Sequence, residues 1–128
     1  MSHNEHTMQC GCFDWFQWKH RKYQGLLFAV PNGGARNKTT AAKMKMEGVV
    51  AGVADLLLLI PAKGYHGLCI ELKTEKGRQS PAQKEWQAKV ESQGYKYVVV
   101  RGYYDFTDLV DDWIESGEAP RPVEEAHD

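Results

Sequence analysis

Apolar residues fall into two kinds of pattern along this chain: helical spacing and short continuous runs. Helical spacing predicts helices over residues 5–23, 38–47, 81–93 and 105–116. Apolar runs bounded by turn residues predict strands over residues 26–30, 53–60, 68–73 and 95–101. The first two runs are so uniformly apolar that both strands are expected to be buried. The order α-β-α-β-β-α-β-α predicts an α/β fold, a mixed sheet flanked by helices.

Local signals define where some elements begin and how the strands run. Ser80, Pro81 and Gln83 have the pattern of a helix start, with a serine cap, proline at the first position and a capping-box glutamine. Asp105 is predicted to cap the last helix. The short gap between the second and third strands favours an antiparallel hairpin, and the helical crossover before the fourth favours a parallel pair.

Composition indicates one folded domain. The 128 residues, 42% hydrophobic and 11% aromatic, can form one core but are few for two domains. We expect residues 1–117 to form that domain and the acidic residues 118–128 to be a flexible tail. No segment has the apolar length of a membrane span and the N-terminus lacks a signal pattern, so we expect a cytoplasmic protein without membrane contact. Three cysteines, an odd count, argue against a disulfide framework and favour buried thiols.

Charge is unevenly distributed despite a net charge of −1. No acid lies between Asp14 and Glu47, whereas the bases of this segment are Lys19, Arg21, Lys22, Arg36, Lys38, Lys43 and Lys45. From Asp105 onward, nine acids accompany a single base, Arg121. A local cationic face is sufficient to bind a polyanion, although solvated faces of different sign explain the pattern equally well.

Two acidic residues adjoin the most apolar runs. Asp55 begins the second strand, and Glu71 lies in the third strand two residues before Lys73. Residues i and i+2 of a strand point to the same face, so Glu71 and Lys73 are expected to project together. Because a buried charge is costly unless it is paired or binds metal, this grouping indicates metal-dependent phosphodiester cleavage. The alternatives are a strand-edge cap for Asp55 and a surface ion pair on an edge strand for the other two.

Three stretches around these residues carry a resemblance to a known family: P-N-G-G-A-R-N, G-V-V-A-G-V-A-D-L-L-L and I-E-L-K-T-E-K-G-R-Q-S-P-A-Q-K-E-W. Together they resemble the VRR-NUC (virus-type replication-repair nuclease) domain of the PD-(D/E)XK nuclease superfamily. The resemblance covers residues 5–105 and implies a restriction-endonuclease-like core in a stand-alone protein of the phage or bacterial type. One departure is Ala54, where the superfamily commonly has a proline before the aspartate.

The resemblance implies Mg²⁺ or Mn²⁺ as the cofactor and no organic cofactor. The implied ligands are the carboxylates of Asp55 and Glu71, the backbone carbonyl of Leu72 and, directly or through water, Glu5. An acid in the first turn of a helix also interacts favourably with the helix dipole, which is the alternative for Glu5. Lys73 would orient or deprotonate the attacking water, or neutralise charge in the transition state.

The resemblance also implies roles for polar residues around the metal ligands. Gln83 matches the family's glutamine that positions water or phosphate, with the capping box as the alternative. Gln9 shares the face of Glu5 and would steady the site or simply lie on the helix surface. The candidate contacts to the DNA backbone are Asn32, Arg36, Lys38, Lys43, Lys45, Lys76 and Arg78. Such contacts would give salt-sensitive binding without base preference, although each residue is equally explained as solvated surface.

The expected function is that of a metal-dependent, structure-selective DNA endonuclease. The resemblance implies branched DNA as the partner, first of all a four-way (Holliday) junction, and a homodimer whose two sites match the two symmetric cleavage points. Two alternatives remain: a flap or non-specific DNA nuclease in phage replication or repair, and a catalytically silent DNA-binding module of the same fold. A restriction-type enzyme would need base-edge contacts, and the chain has no added recognition element for them.

Overall fold

The structure, a computed structural model, describes residues 3–31 and 38–117. Its helices and strands are α1 (His3–Lys19), β1 (Leu27–Ala29), α2 (Lys38–Met46), β2 (Leu56–Leu58), β3 (Leu68–Leu72), α3 (Pro81–Ser92), β4 (Lys96–Val100) and α4 (Tyr103–Glu115), with a 3₁₀ turn at Arg21–Tyr23. This order confirms the predicted α/β architecture. The acidic residues 118–128 lie outside the described residues, so their predicted flexibility stays a prediction.

The four strands form one mixed sheet in the order β1-β2-β3-β4. The β1–β2 and β2–β3 pairs are antiparallel, and the β3–β4 pair is parallel, as the two connections predicted. β3 has a neighbouring strand on both sides and packed residues on both faces, and all five of its residues, Leu68–Leu72, are buried. The strand that carries Glu71 is therefore one of the two interior strands and not an edge strand.

The two faces of the sheet are covered differently. Leu68, Ile70 and Leu72 point to one face, where α1 and α4 add Phe16 and Phe106 to a large apolar cluster. We call this the apolar face. Residues at the alternate positions point to the other face, where α3 packs and a smaller cluster forms around Ala54, Cys69 and Tyr97. We call this the α3 face, and Glu71 belongs to it by strand alternation.

Capping and glycine signals are confirmed at several helix ends. The Ser80 side chain accepts a hydrogen bond from the Gln83 amide at 3.2 Å, and the Gln83 side chain accepts one from the Ser80 amide at 2.8 Å. Beyond α3, Gly94 has a φ of +90°, and beyond α2, Gly48 has a φ of +104°. These left-handed conformations suit glycine and end both helices.

Other predicted boundaries were wrong in informative ways. The strand predicted to be buried at 26–30 is β1, in which Leu27 is buried but Phe28 and Ala29 are exposed. Within residues 3–31 and 38–117, β1 has a neighbouring strand on one side only and is an edge strand. The strand predicted at 53–60 is shorter and covers Leu56–Leu58. The cap of α4 is Gly102, and Asp105 lies inside the first turn of that helix.

The prediction of buried thiols is confirmed for two of the three cysteines and wrong for the third. Cys12 and Cys69 are buried free thiols, whereas Cys10 is exposed. Burial raises the pKa of Cys12 to about 12 and that of Cys69 to about 11. Among the described residues, no helix is both long and apolar enough to cross a membrane.

Candidate active site

Asp55 and Glu71 lie at the same end of the β2–β3 pair. These strands pair in the register Leu56↔Ile70, and Asp55 directly precedes Leu56 while Glu71 directly follows Ile70. The Glu71 charge acts on the Asp55 carboxyl, so the two carboxylates are close to each other.

Glu71 is fully buried, with 0% of its surface exposed. Its Oε1 atom accepts hydrogen bonds from the hydroxyl of Tyr97 and, at 3.1 Å, from Nε2 of Gln79. Its Oε2 atom accepts no hydrogen bond from the described residues. The two oxygens of one buried carboxylate therefore have different environments.

Lys73 is the charged partner of Glu71. Its Nζ lies 3.9 Å from Oε2 of Glu71, and its side chain is 14% exposed. This distance is an ion-pair distance but is too long for a hydrogen bond. The prediction that the two side chains project together is confirmed, and the alternative of a surface pair on an edge strand is wrong because Glu71 is buried in an interior strand.

Asp55 is tied to both neighbouring strands. Its Oδ2 accepts a hydrogen bond from the Leu72 amide at 2.7 Å, and its backbone carbonyl accepts one from the Val30 amide at 2.9 Å. Burial raises the pKa of the Asp55 carboxyl, the Leu72 hydrogen bond and the Lys73 charge oppose that rise, and the Glu71 and Glu5 charges add to it. Asp55 therefore acts as the cap that the alternative foresaw and also lies within the electric field of three charged residues.

A cavity of about 520 Å³ opens beside these residues. Its lining comes from the start of α1, the end of β1, the segment before β2, the end of β3 and the start of α3: Glu5, Gln9, Ala29, Val30, Pro31, Gly52, Val53, Asp55, Leu72, Lys73, Ser80 and Gln83. Four side chains predicted from the sequence to act together, those of Glu5, Asp55, Lys73 and Gln83, are thus brought to one place. Glu71 has no exposed surface and is not part of the lining.

Gly52 allows the cavity wall to close against α3. Its φ is +83°, and a Cβ atom there would lie 2.4 Å from the carbonyl oxygen of Ala82 in the first turn of α3. No residue with a side chain can approach so closely without moving the helix start. Since Ser80 and Gln83 line the cavity at that helix start, Gly52 contributes to their position.

Gln83, Glu5 and Gln9 all line the cavity, and Gln83 also belongs to the capping box of α3. The Gln83 oxygen is used in the capping box, and the side chain also lines the cavity. Glu5 and Gln9 line the cavity from α1, and the Gln9 Oε1 atom is buried without a hydrogen bond from the described residues. The capping alternative for Gln83 is confirmed, and its catalytic role stays a prediction.

The candidate DNA contacts are partly placed. Lys43 and Lys45 are exposed on α2, and Lys76 and Arg78 are exposed in the loop that follows β3. Nη1 of Arg101 donates hydrogen bonds to three carbonyls of that loop, at 2.8 Å to Thr74, 3.3 Å to Glu75 and 2.7 Å to Gly77. Asn32 and Arg36, together with the Lys38 side chain, lie outside the described residues.

Four residues of the site neighbourhood were missed in the sequence: Tyr97, Gln79, Gln87 and Arg101. Burial first, and then the hydrogen bond to the Glu71 carboxylate, raise the pKa of Tyr97, so its hydroxyl remains a donor. A tyrosine in the apolar run K-Y-V-V-V was a usable signal, because a buried tyrosine hydroxyl usually finds a partner. The sequence contained no corresponding signal for Gln79, Gln87 or Arg101.

The donor atoms fit a hard divalent cation held by two carboxylates. Mg²⁺ is commonly bound through one or two carboxylates and keeps several waters, and Glu71 Oε2 is a buried charged oxygen without a hydrogen bond. Within residues 3–31 and 38–117, no three His, Cys, Asp or Glu side chains are arranged to hold an ion together. The fit to a divalent cation therefore rests on the Glu71 Oε2 atom and the nearby Asp55 carboxylate.

Comparisons with known proteins agree with this geometry. The VRR-NUC domain family model matches residues 2–103. A solved structure described as a VRR_NUC domain protein is 29% identical, with a TM-score of 0.76, and the match covers 92% of this chain and 93% of that chain. No curated protein matches the chain. The family match spans well over half of the chain, so the chain belongs to the VRR-NUC family and has its nuclease-type α/β fold.

Proposed function

We propose that this protein is a metal-dependent DNA endonuclease that hydrolyses phosphodiester bonds in branched DNA, with the four-way junction as the preferred substrate. The observation that carries the proposal is the position of Asp55 and Glu71 at the same end of the β2–β3 pair, with Lys73 paired to Glu71 and a cavity at the strand ends. A buried carboxylate on an interior strand costs stability, so its presence beside a polar cavity supports a catalytic role.

Asp55, Glu71 and the backbone carbonyl of Leu72 would hold a Mg²⁺ or Mn²⁺ ion. When bound, such an ion polarises the scissile phosphate and lowers the pKa of an attacking water. Glu5, which lines the same cavity, would act on this ion through water. Glu5 lies on α1, whereas the other three residues lie on or beside β2 and β3. The complete site would therefore form only when α1 packs against the sheet.

Lys73 and Gln83 would act on the phosphate and the water. Lys73 is mostly buried and lies near Glu71, so its ammonium would orient the water or neutralise charge that develops in the transition state. The side-chain oxygen of Gln83 already accepts a hydrogen bond from the Ser80 amide in the capping box, which leaves its amide nitrogen available to the cavity. Its role would therefore be to donate a hydrogen bond to phosphate and not to accept a proton.

DNA would be held by exposed cationic residues of two segments. Lys43 and Lys45 extend from α2, and Lys76 and Arg78 extend from the loop that Arg101 fixes. Asn32, Arg36 and Lys38 belong to the same proposal on sequence grounds. Contacts with phosphates determine affinity and position but read no base, which fits selection by DNA shape.

The preference for a four-way junction rests on symmetry. A single small domain presents one site, whereas a junction is cut at two symmetric points. Two copies related by a two-fold axis would present two sites in the matching arrangement, so we propose a homodimer as the active form.

The test is cleavage of a labelled four-way junction beside a matched flap and a linear duplex. Each substrate is incubated with Mg²⁺, Mn²⁺ or EDTA, with wild-type protein and with Glu71→Ala. Paired symmetric cuts in the junction that need metal and are lost in Glu71→Ala are the expected result. Cutting of the flap or the duplex alone would support the nuclease activity but contradict the preference for a four-way junction.

The alternative of a catalytically silent DNA-binding module is distinguished in the same assay. Binding of all three DNAs with equal affinity in metal and in EDTA, without any cleavage, would overturn the nuclease proposal. Cleavage by Asp55→Ala, Glu71→Ala and Lys73→Ala at the wild-type rate would show that a nuclease is present but that its site lies elsewhere.

A further inference from the structure

We propose that Tyr97 and Gln79 are positioning residues that fix the Glu71 carboxylate so that one oxygen, Oε2, is presented to the divalent cation. This inference rests on the proposed function, because it assigns the way in which one metal ligand is held. Tyr97 lies outside the three stretches that carry the family resemblance, and Gln79 lies within the third of them without an assigned role. Neither residue lines the cavity.

The Oε1 atom of Glu71 is the oxygen that the protein itself satisfies. It accepts one hydrogen bond from the Tyr97 hydroxyl and another from Gln79 Nε2 at 3.1 Å. Two donors on one oxygen fix the plane of the carboxylate, because rotation about its axis would break both hydrogen bonds. The orientation of the second oxygen is then determined as well.

The Oε2 atom is the oxygen that the described residues leave for another partner. It is buried and accepts no hydrogen bond from them. Lys73 lies 3.9 Å away, which lowers the cost of the charge without occupying the lone pairs. A buried carboxylate oxygen without a donor is costly, and a bound cation would remove that cost.

Each of the two donors is anchored by a different element. Tyr97 lies on β4 beside Cys69 of β3, and its ring packs against Trp86 of α3 with centroids 6.0 Å apart. Gln79 precedes α3, and its Nε2 also donates to Oε1 of Gln87 on that helix at 2.8 Å. The carboxylate is therefore held from the sheet and from the helix, and its position depends on how α3 packs on the sheet.

A purely structural role is the competing explanation. In that case Tyr97 and Gln79 would serve only to lower the cost of a buried charge, and their removal would lower stability without changing the affinity for metal. A positioning role makes the opposite prediction for metal affinity. Residues that orient metal ligands typically change affinity by about 10- to 100-fold when they are removed.

The experiment measures Mn²⁺ binding to the whole protein by calorimetry in the absence of DNA, with no cleavage required. The variants are Tyr97→Phe, Gln79→Ala and the double variant. Tyr95→Phe is the matched control for loss of a tyrosine hydroxyl. Tyr95 lies just before β4, two residues from Tyr97, and its ring packs against His66. Gln87→Ala tests the anchor of Gln79. Urea unfolding of each variant gives the stability separately.

We expect Tyr97→Phe to weaken Mn²⁺ binding about 10-fold and the double variant to weaken it further, whereas Tyr95→Phe binds like wild type. The Mg²⁺ concentration for half-maximal cleavage should rise by the same factor, with kcat recovering at saturating metal. Gln87→Ala should have a smaller effect than Gln79→Ala. A fold defect would not recover at high metal, so the two causes are separated.

Wild-type affinity for Mn²⁺ in the double variant, with Glu71→Ala losing binding, would overturn the positioning role and leave the proposed function intact. The same affinity in wild type and Glu71→Ala would instead overturn the proposed metal site, and the positioning role with it. An equal loss of affinity in Tyr95→Phe would also overturn the assignment, because the effect would then not be specific to the hydroxyl that contacts Glu71.

Discussion

Ile70 and Glu71 are neighbours on β3 and are equally buried, yet they face opposite sides of the sheet. Ile70 packs on the apolar face, within the cluster that includes Phe16 and Phe106. Glu71 lies on the α3 face among Tyr97, Gln79 and Lys73. Apolar burial stabilises a fold, whereas a buried carboxylate loses solvation that its partners offset only in part. Packing on the apolar face therefore stabilises the fold, and this stabilisation offsets the cost of burying the Glu71 carboxylate on the α3 face.

The largest expected effect on activity comes from Glu71→Gln. The amide keeps the shape of the side chain but removes the charge that would bind metal, so cleavage should fall to the level measured in EDTA. Stability in urea should change little, because the gain from removing a buried charge is opposed by the loss of the charged partner of Lys73. Glu91→Gln, at an exposed position of α3, is the control. Wild-type cleavage by Glu71→Gln would contradict the division between the two faces.

The largest expected effect on stability comes from Ile70→Ala. Loss of the buried side chain should lower the free energy of unfolding by about 2 to 5 kcal/mol. Cleavage per folded molecule should stay near wild type at low temperature, because Ile70 faces away from the site. Urea unfolding beside Val50→Ala, where the valine is 54% exposed, gives the comparison. Equal stability of the two variants would argue against the apolar face as the main core.

Gly52→Ala should damage both stability and activity. A Cβ atom there would overlap the Ala82 carbonyl, so the start of α3 must shift and Gln83 with it. Gly25→Ala is a matched control, since Gly25 has a φ of +91° but no atom within 4 Å of the added carbon. The control should lose about 1 to 2 kcal/mol through backbone strain alone. If Gly52→Ala lost no more than Gly25→Ala, the close contact with α3 would be unimportant.

Lys43→Glu should weaken DNA binding without changing the site. Each phosphate contact that is lost should reduce the slope of log affinity against log salt by about 1. Lys89→Glu makes the same charge change on α3, where the lysine pairs with Glu85 at 3.6 Å and is 72% exposed. Binding to the four-way junction at several salt concentrations separates the two. Equal slopes for both variants would remove α2 from the DNA surface.

The smallest expected effect is on the reactivity of the buried thiols, of which Cys12 lies on the apolar face and Cys69 on the α3 face. Burial raises the pKa of Cys12 to about 12 and of Cys69 to about 11, so both remain protonated and unreactive in the folded protein. A thiol reagent at pH 8 should therefore modify Cys10 alone until urea is added. The unfolded thiols have a pKa of 9.0 and ionise above pH 9, whereas the folded thiols stay protonated to higher pH. Ionisation therefore favours the unfolded chain above pH 9, so the free energy of unfolding should be unaffected by these thiols below pH 9 and should fall above it. Rapid reaction of Cys12 or Cys69 without urea would show that its face opens readily.

The local elements of this chain could be predicted because local chemistry specifies them. The capping box at Ser80 needs only residues three apart, and the glycines after α2 and α3 end those helices through their own backbone freedom. Errors arose where the number of strand neighbours matters. The run at 26–30 is as apolar as a central strand, yet β1 is an edge strand, and periodicity alone does not distinguish the two.

The site divides in the same way. The spacing of Glu71 and Lys73 predicted a shared face, because alternation is a property of any strand. The pairing of Glu71 with Tyr97 and Gln79 was missed, since the first depends on the parallel register of β3 and β4 and the second on the position of a loop before α3. Neither relation follows from separation along the chain.

The pattern of amino acids was sufficient to predict the order of helices and strands, the shared face of Glu71 and Lys73, and a nuclease-type family. The packed fold was needed to show that β3 is an interior strand, that Glu71 is completely buried, and that one of its oxygens is hydrogen-bonded while the other is not. Helix caps and strand alternation depend on neighbours in sequence, whereas burial and hydrogen bonding of a side chain depend on which distant segments pack around it.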